Sequence, residues 1–240
     1  MYFTVDRRVG EIVTEDFRTA AVFHEFGIDF CCGGRLTLGE ACRERDTDPE
    51  TVMAALTRSC SEPAATPRFA EWSPEALIGY IVGHHHAYVR RALPPLVAHA
   101  WKLSAAHANR HPELRDVARL ADGIAADMLS HMAKEERILF PYITALAEAV
   151  DHGRPAPDAP FGSVESPIAM MEEEHEAAGA AMAVIRKITG GYVPPPDACT
   201  TYRVTLQELE AFERDLHDHV HLENNILFPK ARQLARSTSN

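Results

Sequence analysis

Long apolar runs, a surplus of basic residues and a regular set of cysteines are all missing from this chain of 240 residues. No stretch reaches the roughly 18 apolar residues that a membrane span needs, and the N-terminus has no basic region followed by an apolar core. Lys and Arg total 24 against 35 Asp and Glu, a formal net charge of −11. This balance argues against nucleic acid or an anionic membrane as a partner, because both attract clustered positive charge.

The five cysteines are an odd number and include the adjacent pair Cys31 and Cys32. A secreted disulfide framework usually has an even, spaced set, so free thiols in a reducing compartment fit better. We therefore expect a cytoplasmic protein. With 46% hydrophobic residues, the chain is long enough and apolar enough to bury a substantial core.

Composition divides the chain into three predicted parts. Residues 1–60 indicate a small domain of short helices, with Thr37 and Asp48 as helix starts. Residues 61–73 carry two prolines and few apolar residues, which is typical of a linker. Residues 74–236 hold four long helical segments whose short connections favour antiparallel packing. The segments are predicted at 74–108, 112–149, 163–189 and 199–235.

Two adjacent prolines, Pro94 and Pro95, fall inside the first long segment. They remove two backbone donors from the helix. We therefore expect this helix to bend or break just after the turn that bears His86.

Two eleven-residue segments match each other. Residues 131–141 read HMAKEERILFP and residues 219–229 read HVHLENNILFP. In both, a His and a Glu stand four residues apart and share one face of a helix. A lone His precedes each copy by a similar distance, His86 by 45 residues and His175 by 44. This repetition indicates a duplicated helix pair that directs four His and two Glu into one bundle centre.

Each long segment carries an apolar stripe at helical spacing, with a His at mid-height. The stripes are Ile78, Val82, His86, Val89 and Leu93; Ile124, Met128, His131, Glu135, Ile138 and Tyr142; Ile168, Met171, His175, Ala178, Met182 and Ile185; and Phe212, Leu216, His219, Glu223 and Ile226. A carboxylate on a buried stripe is costly unless it is paired, and a bound cation offsets that cost. Four imidazoles and two bridging carboxylates suit two first-row metal ions with positions left open for a small ligand.

Several neighbouring residues are interpreted as structural. A lone His on an apolar face, or a single His-Glu pair, is more often structural than metal-binding, and only the repetition favours a metal site. Because three histidines are consecutive, His86 is chosen for its place on the stripe and His85 is the alternative. We expect a solvated face at Lys134, Glu136, Glu172, Glu173 and Glu174, with an acidic cluster that steers cations inward as the alternative. His217 and His221 turn away from the stripe and are expected to be exposed.

Residues 74–235 resemble a hemerythrin-like four-helix bundle, and Gly27 to Arg35, with its Cys-Cys-Gly-Gly, resembles the N-terminal domain of the iron-sulfur cluster repair di-iron proteins, the RIC family. The resemblance implies an all-α fold, an antiparallel four-helix bundle with a small helical N-terminal domain. It also implies two non-haem iron ions joined by an oxo or hydroxo bridge. Four terminal ligands and two bridging carboxylates would hold them: His86, His131, His175 and His219, with Glu135 and Glu223.

The function implied by the resemblance is repair of iron-sulfur clusters damaged by nitrosative or oxidative stress. The expected partners are damaged iron-sulfur proteins and small ligands such as nitric oxide or oxygen, and a homodimer is left open. Other hypotheses are an oxygen or nitric oxide carrier or sensor, a di-iron oxidase or nitric oxide reductase, and a structural zinc bundle.

Cys31 and Cys32 are the predicted reactive thiols, for catalysis, redox chemistry or metal handling. Flexible Gly33 and Gly34 favour that hypothesis, and Arg35 is expected to lower a thiol pKa. The alternative is a small hydrophobic residue in a tight turn.

Overall fold

The computed structural model describes residues 3–61, 67–159 and 161–238. Within those ranges the chain has no β-strand, only an isolated antiparallel bridge between Arg8 and Thr37. The α-helices are α1 Val9–Glu15, α2 Thr19–Glu25, α3 Leu38–Glu44, α4 Pro49–Ser59, α5 Pro74–Tyr80, α6 Ala87–His107, α7 Leu114–Lys134, α8 Phe140–Asp151, α9 Glu165–Ile188, α10 Thr200–Leu222 and α11 Phe228–Ser237. The predicted all-α class, a helical bundle with a small helical N-terminal domain, is confirmed.

In the described part of the chain, three segments of π-helix, with wider turns than an α-helix, interrupt the long helices. They are π1 Ile81–His86, π2 Glu135–Leu139 and π3 Glu223–Leu227. The chain forms two compact units. The first unit contains residues 1–79, 143–160 and 217–240, and the second unit contains residues 80–142 and 161–216.

In the first unit, α1 to α4 enclose a small apolar core. Its fully buried members include Ile12, Phe23, Phe30 and Leu56. Local signals set the helix ends: Thr37 and Glu40 form a reciprocal capping box on α3. Asp48 caps α4 through two backbone N–H groups, as its predicted role as a helix start requires.

Gly10, on α1, lies very close to two other segments of the first unit. Its N–H donates to the carbonyl of Gly34 at 3.0 Å. A Cβ on Gly10 would lie 2.7 Å from Oδ1 of Asn225, in π3, and 3.0 Å from the Gly34 carbonyl oxygen. Because Gly10 has no side chain, α1 can approach both the Gly34 backbone and the Asn225 side chain of π3.

In the second unit, α6 runs against α7 and α7 against α9. The connection between α6 and α7 is six residues, 108–113, which returns the chain antiparallel. A buried group fixes the turn after α9: Glu213 of α10 accepts hydrogen bonds from Tyr192 at 2.8 Å and Arg186 at 2.9 Å. Burial and the nearby carboxylate raise the pKa of Tyr192, so the phenol stays protonated.

The predicted break at Pro94 and Pro95 is wrong, because α6 continues through both residues, while the predicted bend stays a prediction. The two prolines are exposed, as are Arg90 and Arg91, whose carbonyls lose their helical donors. The prolines and the freed carbonyls thus belong to exposed residues rather than to the buried face of the helix, where the lost hydrogen bonds would cost more. The irregular turn lies earlier, at π1.

The predicted domain boundaries at 60 and 74 stay predictions, and residues 62–66 of the predicted linker lie outside the described residues. Phe69–Glu71 forms a short 3₁₀ turn in that segment. Among the described helices, none combines the length and the apolar character that crossing a bilayer demands.

Gly10→Ala is expected to lower the free energy of unfolding by about 1–3 kcal/mol, because the new methyl group meets a backbone oxygen at van der Waals overlap distance. Gly123→Ala is the matched control, since its Cβ would meet nothing within 4 Å. Gly123→Ala, in the interior of α7, should raise the free energy of unfolding by about 0.5–1 kcal/mol. Urea or thermal denaturation measures both, and equal effects of the two substitutions would contradict the close approach at Gly10.

Candidate metal centre

Glu135 lies between two imidazole rings in the second unit. Its Oε2 atom is 3.3 Å from Nε2 of His86 and 3.3 Å from Nε2 of His131. The Nε2 atom of His131 is in turn 3.0 Å from Nε2 of His175. None of the four residues is more than 1% exposed. Four potential metal ligands of this unit therefore converge at one buried point.

The outer nitrogens of two of these rings are fixed by carboxylates. Nδ1 of His86 is 2.6 Å from Oε1 of Glu136, and Nδ1 of His131 is 2.9 Å from Oε2 of Glu174. A neutral ring that donates its Nδ1 proton outward presents a lone pair at Nε2. Lone pairs that face the Glu135 carboxylate repel it unless a cation lies between them, so this arrangement suits a metal ion.

Each supporting carboxylate has its own positive partner. Arg90 contacts Glu136 at 2.7 Å, and the Lys134 ammonium bonds to Glu174. Burial alone would raise the pKa of Glu136, but hydrogen bonds from His86 and Arg90 outweigh it and lower that pKa. The pKa of Glu174 is lowered in the same way, against burial, by Lys134 and His131.

The interpretation of Glu136 and Glu174 as members of a solvated face is therefore wrong. Both carboxylates are only partly exposed and orient a buried imidazole. One feature of the sequence indicates this role: Glu136 and Glu174 each stand directly beside a predicted ligand, Glu135 and His175.

The first unit contains the corresponding pair from the second repeat. Nε2 of His219, on α10, lies 3.0 Å from Oε1 of Glu223, and both residues are fully buried. The pair repeats the relation of His131 to Glu135, in which an α-helix supplies the imidazole and the following π-helix the carboxylate. The prediction that all six residues bind the same two metal ions stays a prediction.

The π-helices place three of the six predicted ligands. His86 is the last residue of π1, while Glu135 and Glu223 are the first residues of π2 and π3. A π-turn takes in one more residue than an α-turn, which shifts the buried face along the sequence. Ile138, predicted on the buried stripe, is therefore 49% exposed, and Leu139 takes its place at 1%.

The structure separates the two candidates among the consecutive histidines. His86 contacts Glu135, and its ring stacks on Phe140 with centroids 5.8 Å apart. His85 is also buried, but its Nδ1 lies 3.0 Å from Asp215. This geometry favours His86 as the ligand.

Cys31 and Cys32 lie in the first unit, in a group of their own with Asp29. Cys31 is buried and Cys32 is partly exposed, and both are free thiols. Burial, followed by the neighbouring Cys32 and Asp29, raises the pKa of Cys31 well above its usual value. The expectation that Arg35 would lower it is wrong for this thiol.

His217 and His221, predicted to be exposed, are buried at 8% and 0% exposure. Within the first unit, the Phe30 ring lies 6.1 Å from the ring of His217 and 5.5 Å from that of His221. Burial lowers the pKa of His221 to about 4, so its ring is neutral at physiological pH. The spacing of apolar residues along α10 could not reveal that the face bearing His217 and His221 is covered by Phe30.

A helical protein with histidines and glutamates converging at a buried point belongs to the class of metal-binding helical bundles. Residues 78–231 match the hemerythrin HHE cation binding domain, and residues 5–59 match the ScdA_N domain, described as a domain of unknown function. The HHE match supports a metal cation as the partner of the His and Glu clusters.

The chain also matches curated relatives along nearly its whole length. It is 36% identical to the iron-sulfur cluster repair protein YtfE of Musicola paradisiaca (strain Ech703), over 94% of this chain and 96% of the relative. It is 33% identical to the protein of that name from Escherichia coli O157:H7, with the same coverage. The chain belongs to the iron-sulfur cluster repair family, as the resemblance predicted.

Glu174→Ala should weaken metal binding about 10–100-fold, because it removes the carboxylate that orients the His131 ring. Glu173→Ala is the matched control, since this neighbouring residue is exposed. Competition with a chelator at constant pH measures both affinities. Identical affinities in the two variants would contradict a role for Glu174 in holding His131.

Proposed function

We propose that this protein holds two iron ions in its bundle and takes part in repairing iron-sulfur clusters damaged by nitrosative or oxidative stress. One observation carries the proposal: a fully buried carboxylate, Glu135, faces the Nε2 atoms of two imidazoles whose Nδ1 atoms contact the outer carboxylates of Glu136 and Glu174. The names of the relatives, iron-sulfur cluster repair proteins, support the choice of function.

Six residues form the proposed ligand set. The terminal ligands are His86, His131, His175 and His219, and the bridging ligands are Glu135 and Glu223. Nitrogen and carboxylate oxygen donors suit borderline first-row ions, iron among them. When bound, the iron pair would supply redox chemistry and an exchangeable store of metal.

The chain itself sets how firmly the metal is held. Glu136 and Glu174 fix the rings of His86 and His131, so these imidazoles are preorganised. The Glu135 carboxylate approaches both rings at 3.3 Å, a separation that suits ligands of a shared metal ion. We assign retention of the metal to the preorganised histidines and its release to movement of the bridging carboxylates.

Damaged iron-sulfur proteins are the proposed clients, with nitric oxide or oxygen as the proposed small ligands, in the cytoplasm. Cys31 and Cys32 are proposed to handle metal or electrons. Nitric oxide or oxygen binding, or nitric oxide reduction, is the second candidate function. It is favoured by the donor count, because six protein ligands shared by two ions leave coordination positions open.

Glu135→Leu is expected to reduce the iron content from two ions per chain to one or none, because the substitution removes a shared ligand. The variant should also fail to restore a [4Fe–4S] protein that has been damaged by nitric oxide. Iron analysis and recovery of the client's cluster absorption measure the two effects.

The exposed Glu173→Leu variant serves as the control and should retain both iron and repair. Two tightly held irons in Glu135→Leu would exclude the proposed bridging role. A wild-type protein that binds oxygen or nitric oxide reversibly but restores no client would favour the second candidate function.

A further inference from the structure

Asp29, Cys31 and Cys32 form a compact donor group in the first unit, called here the thiol cluster. One ligand atom from each lies within 4.8 Å of the others. The Sγ atom of Cys31 is 3.1 Å from Oδ1 of Asp29 and 3.8 Å from Sγ of Cys32. The Cys31 thiol donates to the Asp29 carboxylate, so the two sulfurs and the carboxylate oxygen are held close together.

The separation of the sulfurs fits a metal ion better than a disulfide. A disulfide brings two sulfurs to about 2.05 Å. Two thiolates bound at about 2.3 Å to one tetrahedral ion are about 3.8 Å apart, which is the spacing found here. The ligands need little rearrangement to accept an ion.

The backbone holds this arrangement in place. Oδ1 of Asp29 accepts the N–H groups of Cys31 at 2.9 Å and Cys32 at 3.0 Å. The Cys31 carbonyl accepts the side-chain N–H of Asn225 at 3.2 Å. A Cβ on Gly33 would lie 2.8 Å from the Asp29 carbonyl oxygen, so the loop closes on itself only with glycine there.

Electrostatics also favour a cation at the thiol cluster. Burial and the neighbouring Cys32 and Asp29 raise the pKa of Cys31, because a second or third negative charge is unfavourable at this point. A divalent ion compensates those charges and displaces the thiol protons.

We propose that Asp29, Cys31 and Cys32 bind one divalent first-row metal ion, with the fourth tetrahedral position open to an exchanging ligand. Binding converts two thiols and a free ion into a dithiolate complex and two released protons, with no change of oxidation state. Mixed sulfur and oxygen ligands suit zinc, cobalt and ferrous ions. Naming ferrous iron as the physiological ion rests on the proposed function, and the site then holds iron in transit to or from a client.

Titration of the full-length, reduced and metal-free protein with cobalt(II) tests the site. A sulfur-to-cobalt charge-transfer band should saturate at one thiolate-bound ion per chain, and a bundle centre made of His and Glu gives no such band. The double variant Cys31→Ser, Cys32→Ser should lose the band. Asp29→Asn should weaken binding at least about tenfold while it retains the oxygen that accepts the loop N–H groups.

Cys199→Ser is the control for an exposed thiol elsewhere, and it should leave the band unchanged. Circular dichroism verifies that each variant is folded. In a second measurement, zinc should slow alkylation of Cys32 in the wild type, and Asp29→Asn should need at least about tenfold more zinc for the same protection. Absence of the band in the wild type, its persistence in the double variant, or a Cys31–Cys32 disulfide in anaerobically reduced protein would overturn the proposal.

Iron analysis separates this site from the bundle centre. The double cysteine variant should retain the iron of the bundle, and loss of iron from both places would assign the cysteines a structural role and overturn the proposal. A wild-type protein that binds cobalt through sulfur but holds no iron in its bundle would contradict the proposed function and leave the thiol cluster intact.

Discussion

The interaction on which the second unit depends is the contact of the buried Glu135 carboxylate with the rings of His86 and His131. A carboxylate at this depth is tolerated only with compensating charge. Outward hydrogen bonds to Glu136 and Glu174 orient both imidazoles so that their Nε2 atoms and the carboxylate could hold a metal cation that supplies it. Arg90 and Lys134 then balance the supporting carboxylates nearer the surface. The protein therefore balances the outer carboxylates with its own cations, whereas the charge of the central Glu135 carboxylate would be balanced by a bound metal cation.

Wide turns in the long helices make this geometry available. His86 ends one π-helix, and Glu135 and Glu223 each begin another, so an irregular turn occurs where a side chain must leave ideal α-helical register. The repeated Ile-Leu-Phe-Pro segments follow these turns. In the first repeat, Phe140 is buried and stacks on the ring of His86, so the segment supports the ligand that faces it.

Much of this structure could be predicted from the sequence, and the exceptions have physical reasons. The His and Glu repeat, the caps at Thr37 and Asp48 and the four long helices all depend on local spacing, which sequence contains. The exposure of Ile138 could not be predicted from local spacing, because a π-turn shifts which residues face the core and leaves no mark in the sequence pattern. The burial of His217 and His221 depends on Phe30, nearly two hundred positions earlier, and no single-helix pattern reports such a neighbour.

Asn225 links the thiol cluster to the predicted metal ligand Glu223. Asn225 holds the carbonyl of Cys31 and stands two residues after Glu223, within the same five-residue π-helix. Any displacement of that turn moves a carboxylate at one end and a thiol loop at the other. Thermodynamic linkage makes such an effect reciprocal. If metal binding at the thiol cluster changes the metal affinity at Glu223, metal binding at Glu223 changes the affinity of the thiol cluster by the same factor.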